Sequence, residues 1–89
     1  MLVPCYTRQF ERDVHLQKKR CKNVKKLREI MTSLIAQKTI SPRNRDHKLV
    51  GQFKDYRECH IEPDWLLIYK IQGSEIYFVR TGTHSDLFE

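Results

Sequence analysis

The stretch "YRECHIEPDWLLIYKIQGSEIYFVRT", residues 56–81, decides the fold. From 56 to 62 the residues alternate, with Tyr56, Glu58, His60 and Glu62 on one face and Arg57, Cys59 and Ile61 on the other. A period of two marks a β-strand, and Cys59 and Ile61 are its expected core side. Pro63-Asp64 turns the chain. "WLLIYKI", 65–71, is apolar on both faces, as a central strand is. "QGS", 72–74, closes a hairpin, and "EIYFVRT", 75–81, is the next strand. Gly82 ends it, and "THSDLFE" closes the chain as a short segment.

Upstream of this sheet the pattern changes. Leu2 to Tyr6 reads as a short strand that Pro4 confines to an edge. Thr7 can cap a helix over about 8–19, in which Phe10 and Val14 fall four apart. Asn23 can cap a second helix. There Val24, Leu27, Met31, Leu34 and Ile35, joined by Ile30, form one apolar stripe, while Lys25, Lys26 and Glu29 point away. This helix is expected to reach about Gln37 and to pair with the first as an antiparallel hairpin. "KTISPRNRDHKLVGQ", 38–52, reads as a loop with functional potential. The expectation is α+β: an antiparallel-rich, four-stranded sheet with an N-terminal helical hairpin on one face, in the order β-α-α-β-β-β. With 89 residues, the chain is expected to be one domain, 1–89.

The formal net charge is +6 and is unevenly spread: nine of the 17 basic residues lie between Arg8 and Arg28, against Glu11 and Asp13. That asymmetry points to a polyanionic partner, nucleic acid ahead of membrane. Cys5, Cys21 and Cys59 follow no metal-ligand spacing, which excludes a zinc ribbon and fits a reducing cytosol. No signal peptide and no apolar run near membrane length is present, so a cytoplasmic location is expected.

The chemistry-bearing residues concentrate in the C-terminal half. If the last three strands are neighbours, His60, Asp64, Trp65, Arg80 and His84 meet at one end of the sheet, with His47 in the preceding loop. Cleaving RNA through its own 2′-hydroxyl needs a base, an acid and a cation at the phosphorane. Histidine suits the first two and arginine the third. Trp65 and Phe88 could stack an unpaired base. Each residue also has a structural reading: Asp64 as a turn residue, Trp65 as core, His60 as a cross-strand partner of Tyr69 or Tyr77, Arg80 as an ion-pair partner of Glu58 or Glu62. A metal site of His47, His60, Asp64 and His84 and a non-catalytic binding module are the competing functions. The roles of Glu58 and Glu62 stay open.

"DHKLVGQFKDYRECHIEPDWLLIYKI", 46–71, and "RTGTHSDLF", 80–88, resemble the YafQ branch of the RelE-like toxins of bacterial type II toxin–antitoxin systems. The match holds in order and spacing, with Phe53 where the family commonly has Trp. The resemblance implies ribosome-dependent mRNA cleavage in the A site and silencing by a cognate antitoxin; the base, acid and cation named above are expected to suffice without a cofactor or metal. Carried over, the site falls on His47, His60, Asp64, Arg80 and His84, with Trp65 and Phe88 positioning the substrate base or the C-terminal segment. His84 and His60 become the leading acid–base candidates and Asp64 a partner or alternative base. Arg80 is expected to stabilise the phosphorane, and His47 to assist proton transfer or contact phosphate. Lys18, Lys19, Arg20, Lys22, Lys25, Lys26, Arg43 and Arg45 are expected to contact ribosomal RNA.

Overall fold

The structure is a computed structural model that describes residues 1–51 and 55–88; Gln52 and Phe53 of the motif lie outside the described residues. The elements are β1 (Val3–Tyr6), α1 (Arg8–Lys19), α2 (Val24–Ile35), a 3-10 turn (Pro42–Asn44), β2 (His47–Lys48), β3 (Arg57–Glu62), β4 (Trp65–Gln72), β5 (Glu75–Gly82) and α3 (His84–Phe88).

The α+β class and the helical hairpin are as expected, but the sheet has five strands in the order β1-β5-β4-β3-β2 among the described residues. The extra strand is β2, which pairs His47 with Glu58 and Lys48 with Arg57. Two residues cannot show a period, so the segment read as loop. β1 lies at an edge, parallel to β5, where the missing N–H of Pro4 does no harm.

Both helices start where the sequence places them. Thr7 Oγ1 accepts the Phe10 N–H at 2.9 Å, and Asn23 Oδ1 accepts the Lys25 N–H at 3.1 Å. Both end in the same motif. The Lys22 N–H reaches Gln17 O and the Cys21 N–H reaches Lys18 O; the Lys38 N–H reaches Ser33 O and the Gln37 N–H reaches Leu34 O. Cys21 (φ 61°) and Gln37 (φ 58°) take the left-handed position usually held by glycine. α2 therefore stops at Ile35, two residues short of the expected end.

The helices cover one face of the sheet. Phe10, Leu27 and Leu34 pack with Cys59, Ile61, Trp65, Leu67, Tyr69, Ile76 and Phe78, and Ile30, Met31 and Ile35 border them. Each large apolar side chain so buried is worth about 1.5–3 kcal/mol.

Two β-bulges decide what the other face carries. Register shifts between His60 and Glu62 on β3, where His60 lies opposite Leu66 and Glu62 opposite Trp65. The strict alternation expected for Glu58, His60 and Glu62 thus breaks at Ile61. Glu62 turns to the helix side, where Lys22 and Lys26 bind it at 3.2 and 3.1 Å. On β5, Ile68 faces Arg80 but Tyr69 faces Phe78, so Val79 is the extra residue. In a regular strand Phe78 and Arg80 would share a face. The bulge keeps Phe78 in the core and sends Arg80 to the opposite side. Thr7 secures it by donating to Val79 O at 2.8 Å.

Candidate active site

Cross-strand pairs share a face, so the face away from the helices carries Glu58 and His60 of β3, Leu66 and Ile68 of β4, and Arg80 of β5. The Pro63-Asp64 turn and the start of α3 close its end. There the His84 Nδ1 lies 2.6 Å from Asp64 Oδ1, and the His84 backbone N–H donates to the same oxygen at 3.0 Å. The two bonds from His84 hold the Asp64 carboxyl below the usual carboxylate range, the backbone one contributing most. The imidazole rings of His84 and His60 are 5.9 Å apart, and Phe88 lies 6.4 Å beyond His84 on the same helix. Spacing of four places His84 and Phe88 on one helix face.

His60 is set deeper. Its Nδ1 lies 3.2 Å from Pro63 O, and its Nε2 lies 3.2 Å from Glu58 Oε1. Pro63 O can only accept, so Nδ1 carries a proton, and Nε2 faces the Glu58 carboxylate. His47 approaches the same carboxylate oxygen at 4.0 Å through Nε2, while its Nδ1 lies 2.6 Å from Arg45 O. The order is His47, Glu58, His60, then His84 and Asp64. The side chains of His47 and His84 are 51% and 55% exposed, against 10% for His60, so the outer two imidazoles are the ones open to a substrate.

Arg80 pairs with Asp13 of α1, not with Glu58 or Glu62. Its Nε donates to Asp13 Oδ2 at 2.8 Å and its NH2 to Oδ1 at 3.1 Å. Asp13 Oδ2 also accepts the Thr81 N–H at 3.1 Å. β1 ends opposite Phe78, which leaves this part of the β5 edge to α1. The carboxylate thus satisfies the uncovered edge and aims the guanidinium together.

Trp65 has no ring face open to a base. It is fully buried, its Nε1 donates to Thr81 Oγ1 at 3.0 Å, and Lys22 Nζ lies 6.0 Å from its ring centre. The packing reading of Trp65 holds here, and its contact with Thr81 braces the strand next to Arg80. The loop before β2 is braced as well: Tyr69 donates its hydroxyl to Asp46 at 2.6 Å, and Arg57 pairs with Asp46 at 3.2 Å. His47 follows directly.

Of the expected RNA contacts, Arg20, Lys22 and Lys26 have carboxylate partners within the chain, Asp86 for the first and Glu62 for the other two. Lys26, Arg43 and Arg45 line a groove of about 380 Å³ beside His60. A larger groove of about 610 Å³ runs along α1 past Arg8, Arg12, His15 and Lys18 and touches none of the cluster. Among the described residues no three His, Cys, Asp or Glu side chains gather as ligands of one metal ion, and no helix is long and apolar enough to cross a membrane. Sequence reading left Glu58 unassigned; its place two residues before His60 was the available signal.

Known proteins resemble this chain in sequence and fold. A family profile described as a bacterial toxin of type II toxin–antitoxin systems, YafQ, matches residues 3–89. The mRNA interferase toxin YafQ of Escherichia coli K12 is 46% identical over 84 residues, 93% of this chain and 91% of its own. The crystal structure of the E. coli DinJ–YafQ toxin–antitoxin complex superposes with a TM-score of 0.91 at 43% identity, covering 99% of this chain and 98% of the other. A metal-bound toxin from Helicobacter pylori does so with a TM-score of 0.93 at 36% identity, over 99% and 100% of the two chains. The chain belongs to the YafQ family of bacterial type II toxin–antitoxin toxins.

Proposed function

We propose that this toxin, an mRNA interferase and so an endoribonuclease, cleaves mRNA in the ribosomal A site by attack of the RNA's own 2′-hydroxyl. The observation that carries the reading is the His84–Asp64 contact of 2.6 Å at the sheet end that also holds His60. A base removes the 2′-OH proton as the O2′–P bond forms. An acid protonates O5′ as the P–O5′ bond breaks. A cyclic phosphate and a 5′-hydroxyl result.

Asp64 fixes the proton on His84 Nδ1, so Nε2 faces the substrate and exchanges the proton there, with Asp64 stabilising the imidazolium. Arg45 O fixes His47 in the same way, which makes His47 the second exchanging group. Arg80, aimed by Asp13, supplies positive charge to the phosphorane, and His60, held between Pro63 O and Glu58, lines the site beside His84. Phe88 offers an aromatic ring next to His84.

Lys18, Lys19, Lys25, Arg43 and Arg45 extend from the surface as ribosomal RNA contacts. The 89 residues act as one domain in the bacterial cytoplasm. A cognate antitoxin, the kind of partner present in the E. coli toxin–antitoxin complex, binds this chain and silences it. The test is cleavage of mRNA on programmed ribosomes by His84→Ala and Arg80→Ala. Each is expected to lose about 10²–10⁴-fold in rate with the fold intact. Wild-type rates in both would overturn the assignment.

A further inference from the structure

Helix α3 carries His84 and Phe88 but has only five residues, too few to hold itself in water. Asp86 supplies the missing support. Its Oδ2 accepts the Thr83 N–H at 2.9 Å, and its own N–H donates to Thr83 Oγ1 at 3.1 Å, a reciprocal cap on the first turn. Arg20 grips the same carboxylate with two teeth, NH1 to Oδ2 at 2.6 Å and NH2 to Oδ1 at 3.0 Å. Arg20 is itself anchored as the C-cap of α1, its N–H on Leu16 O at 3.1 Å. Gly82 makes the space: a Cβ there would lie 2.8 Å from Asp86 Oδ2 and 2.9 Å from its Cβ.

Two residues along a helix turn the direction by about 200°, so Asp86 and His84 project from opposite sides of α3. Arg20 therefore pulls on the back of the helix whose front presents His84 to Asp64. We infer that the Arg20–Asp86 pair is a latch that positions His84 for proton transfer, and that Arg20 is a positioning residue rather than an RNA contact. This rests on the reading of His84 given above.

The latch is tested by steady-state cleavage of mRNA on programmed ribosomes, with thermal unfolding measured alongside. Arg20→Ala and Asp86→Asn should each lower kcat about 10-fold or more with KM within about two-fold, the signature of an interaction that counts in the transition state. Arg20→Lys, with the charge but a single tooth, should recover part of the loss. In a His84→Ala background neither change should lower the residual rate further, because residues acting through one another are not additive. A raised KM with unchanged kcat, a flatter salt dependence, or full additivity with His84→Ala would overturn the latch and return Arg20 to the RNA contacts. If Arg20→Ala fails to fold, Arg20→Lys and Asp86→Asn carry the same comparison. A wild-type chain without mRNA cleavage would overturn the reading of the site. A cleaving wild type matched by Arg20→Ala would overturn only the latch.

Discussion

His84 and Asp64 meet across the β4–β5 hairpin, with Nδ1 2.6 Å from Oδ1 and the His84 backbone N–H on the same oxygen at 3.0 Å. Two donors from one residue on one carboxylate oxygen fix both the ring and the start of α3. The pair is exposed, at 55% and 65% of the side chains, so solvent screens its electrostatic strength.

Asp64→Asn keeps the shape and removes the charge that supports the His84 imidazolium. Cleavage on programmed ribosomes should fall about 10²-fold while the unfolding midpoint stays close to wild type. A variant as fast as wild type would remove Asp64 from the mechanism.

Glu58→Gln tests the residue between His47 and His60. Losing the carboxylate frees the His60 and His47 rings to turn. We expect kcat to drop about 10²-fold through misplaced imidazoles. NMR of the His60 ring should show shifted resonances. An unchanged ring spectrum and rate would contradict the geometry.

Asp13→Ala would strip Arg80 of its partner and leave the Thr81 N–H unsatisfied. The expected loss is about 1–3 kcal/mol in urea unfolding, with reduced cleavage. A change within about 0.5 kcal/mol would show that the edge of β5 finds another partner.

Asp86 gives a pH-dependent prediction. Its carboxyl is held well below the usual aspartate range, first by the Arg20 guanidinium and then by Thr83. A carboxyl whose folded pKa is depressed stabilises the fold above its unfolded value, and that contribution is lost as pH falls towards the folded value. Wild type should therefore be more stable than Asp86→Asn at neutral pH, with the gap closing below about pH 4. A gap in melting temperature that stays constant from pH 7 to pH 2 would contradict the pairing.

The local signals in the sequence were strong for the helices and for the three long strands. Thr7 and Asn23 cap where their side chains suggest, and "WLLIYKI" is central as its two apolar faces require. The helix ends were harder to read, because Cys21 and Gln37 occupy positions where glycine is the usual mark. The bulges at Ile61 and Val79 carry no glycine either, so nothing local announced that Glu62 would turn to the helices or Arg80 away from the core. Proximity of His60, Asp64 and His84 followed from strand order and the turn. The partners that aim the charged groups did not: Asp13 and Arg80 are 67 residues apart, and Arg20 and Asp86 are 66 apart. Such pairs depend on how α1 lies against β5, which no periodicity encodes.

The reaction proposed for this face is attack by the substrate's own 2′-hydroxyl. Mass spectrometry of the fragments cut on programmed ribosomes, paired with an mRNA carrying a single 2′-deoxy nucleotide at the cut, tests it most directly. The expected products are a 2′,3′-cyclic or 3′-phosphate on the upstream fragment and a 5′-hydroxyl on the downstream one, with no cutting of the deoxy mRNA. A 3′-hydroxyl with a 5′-phosphate, or cutting that survives the deoxy substitution, would contradict it.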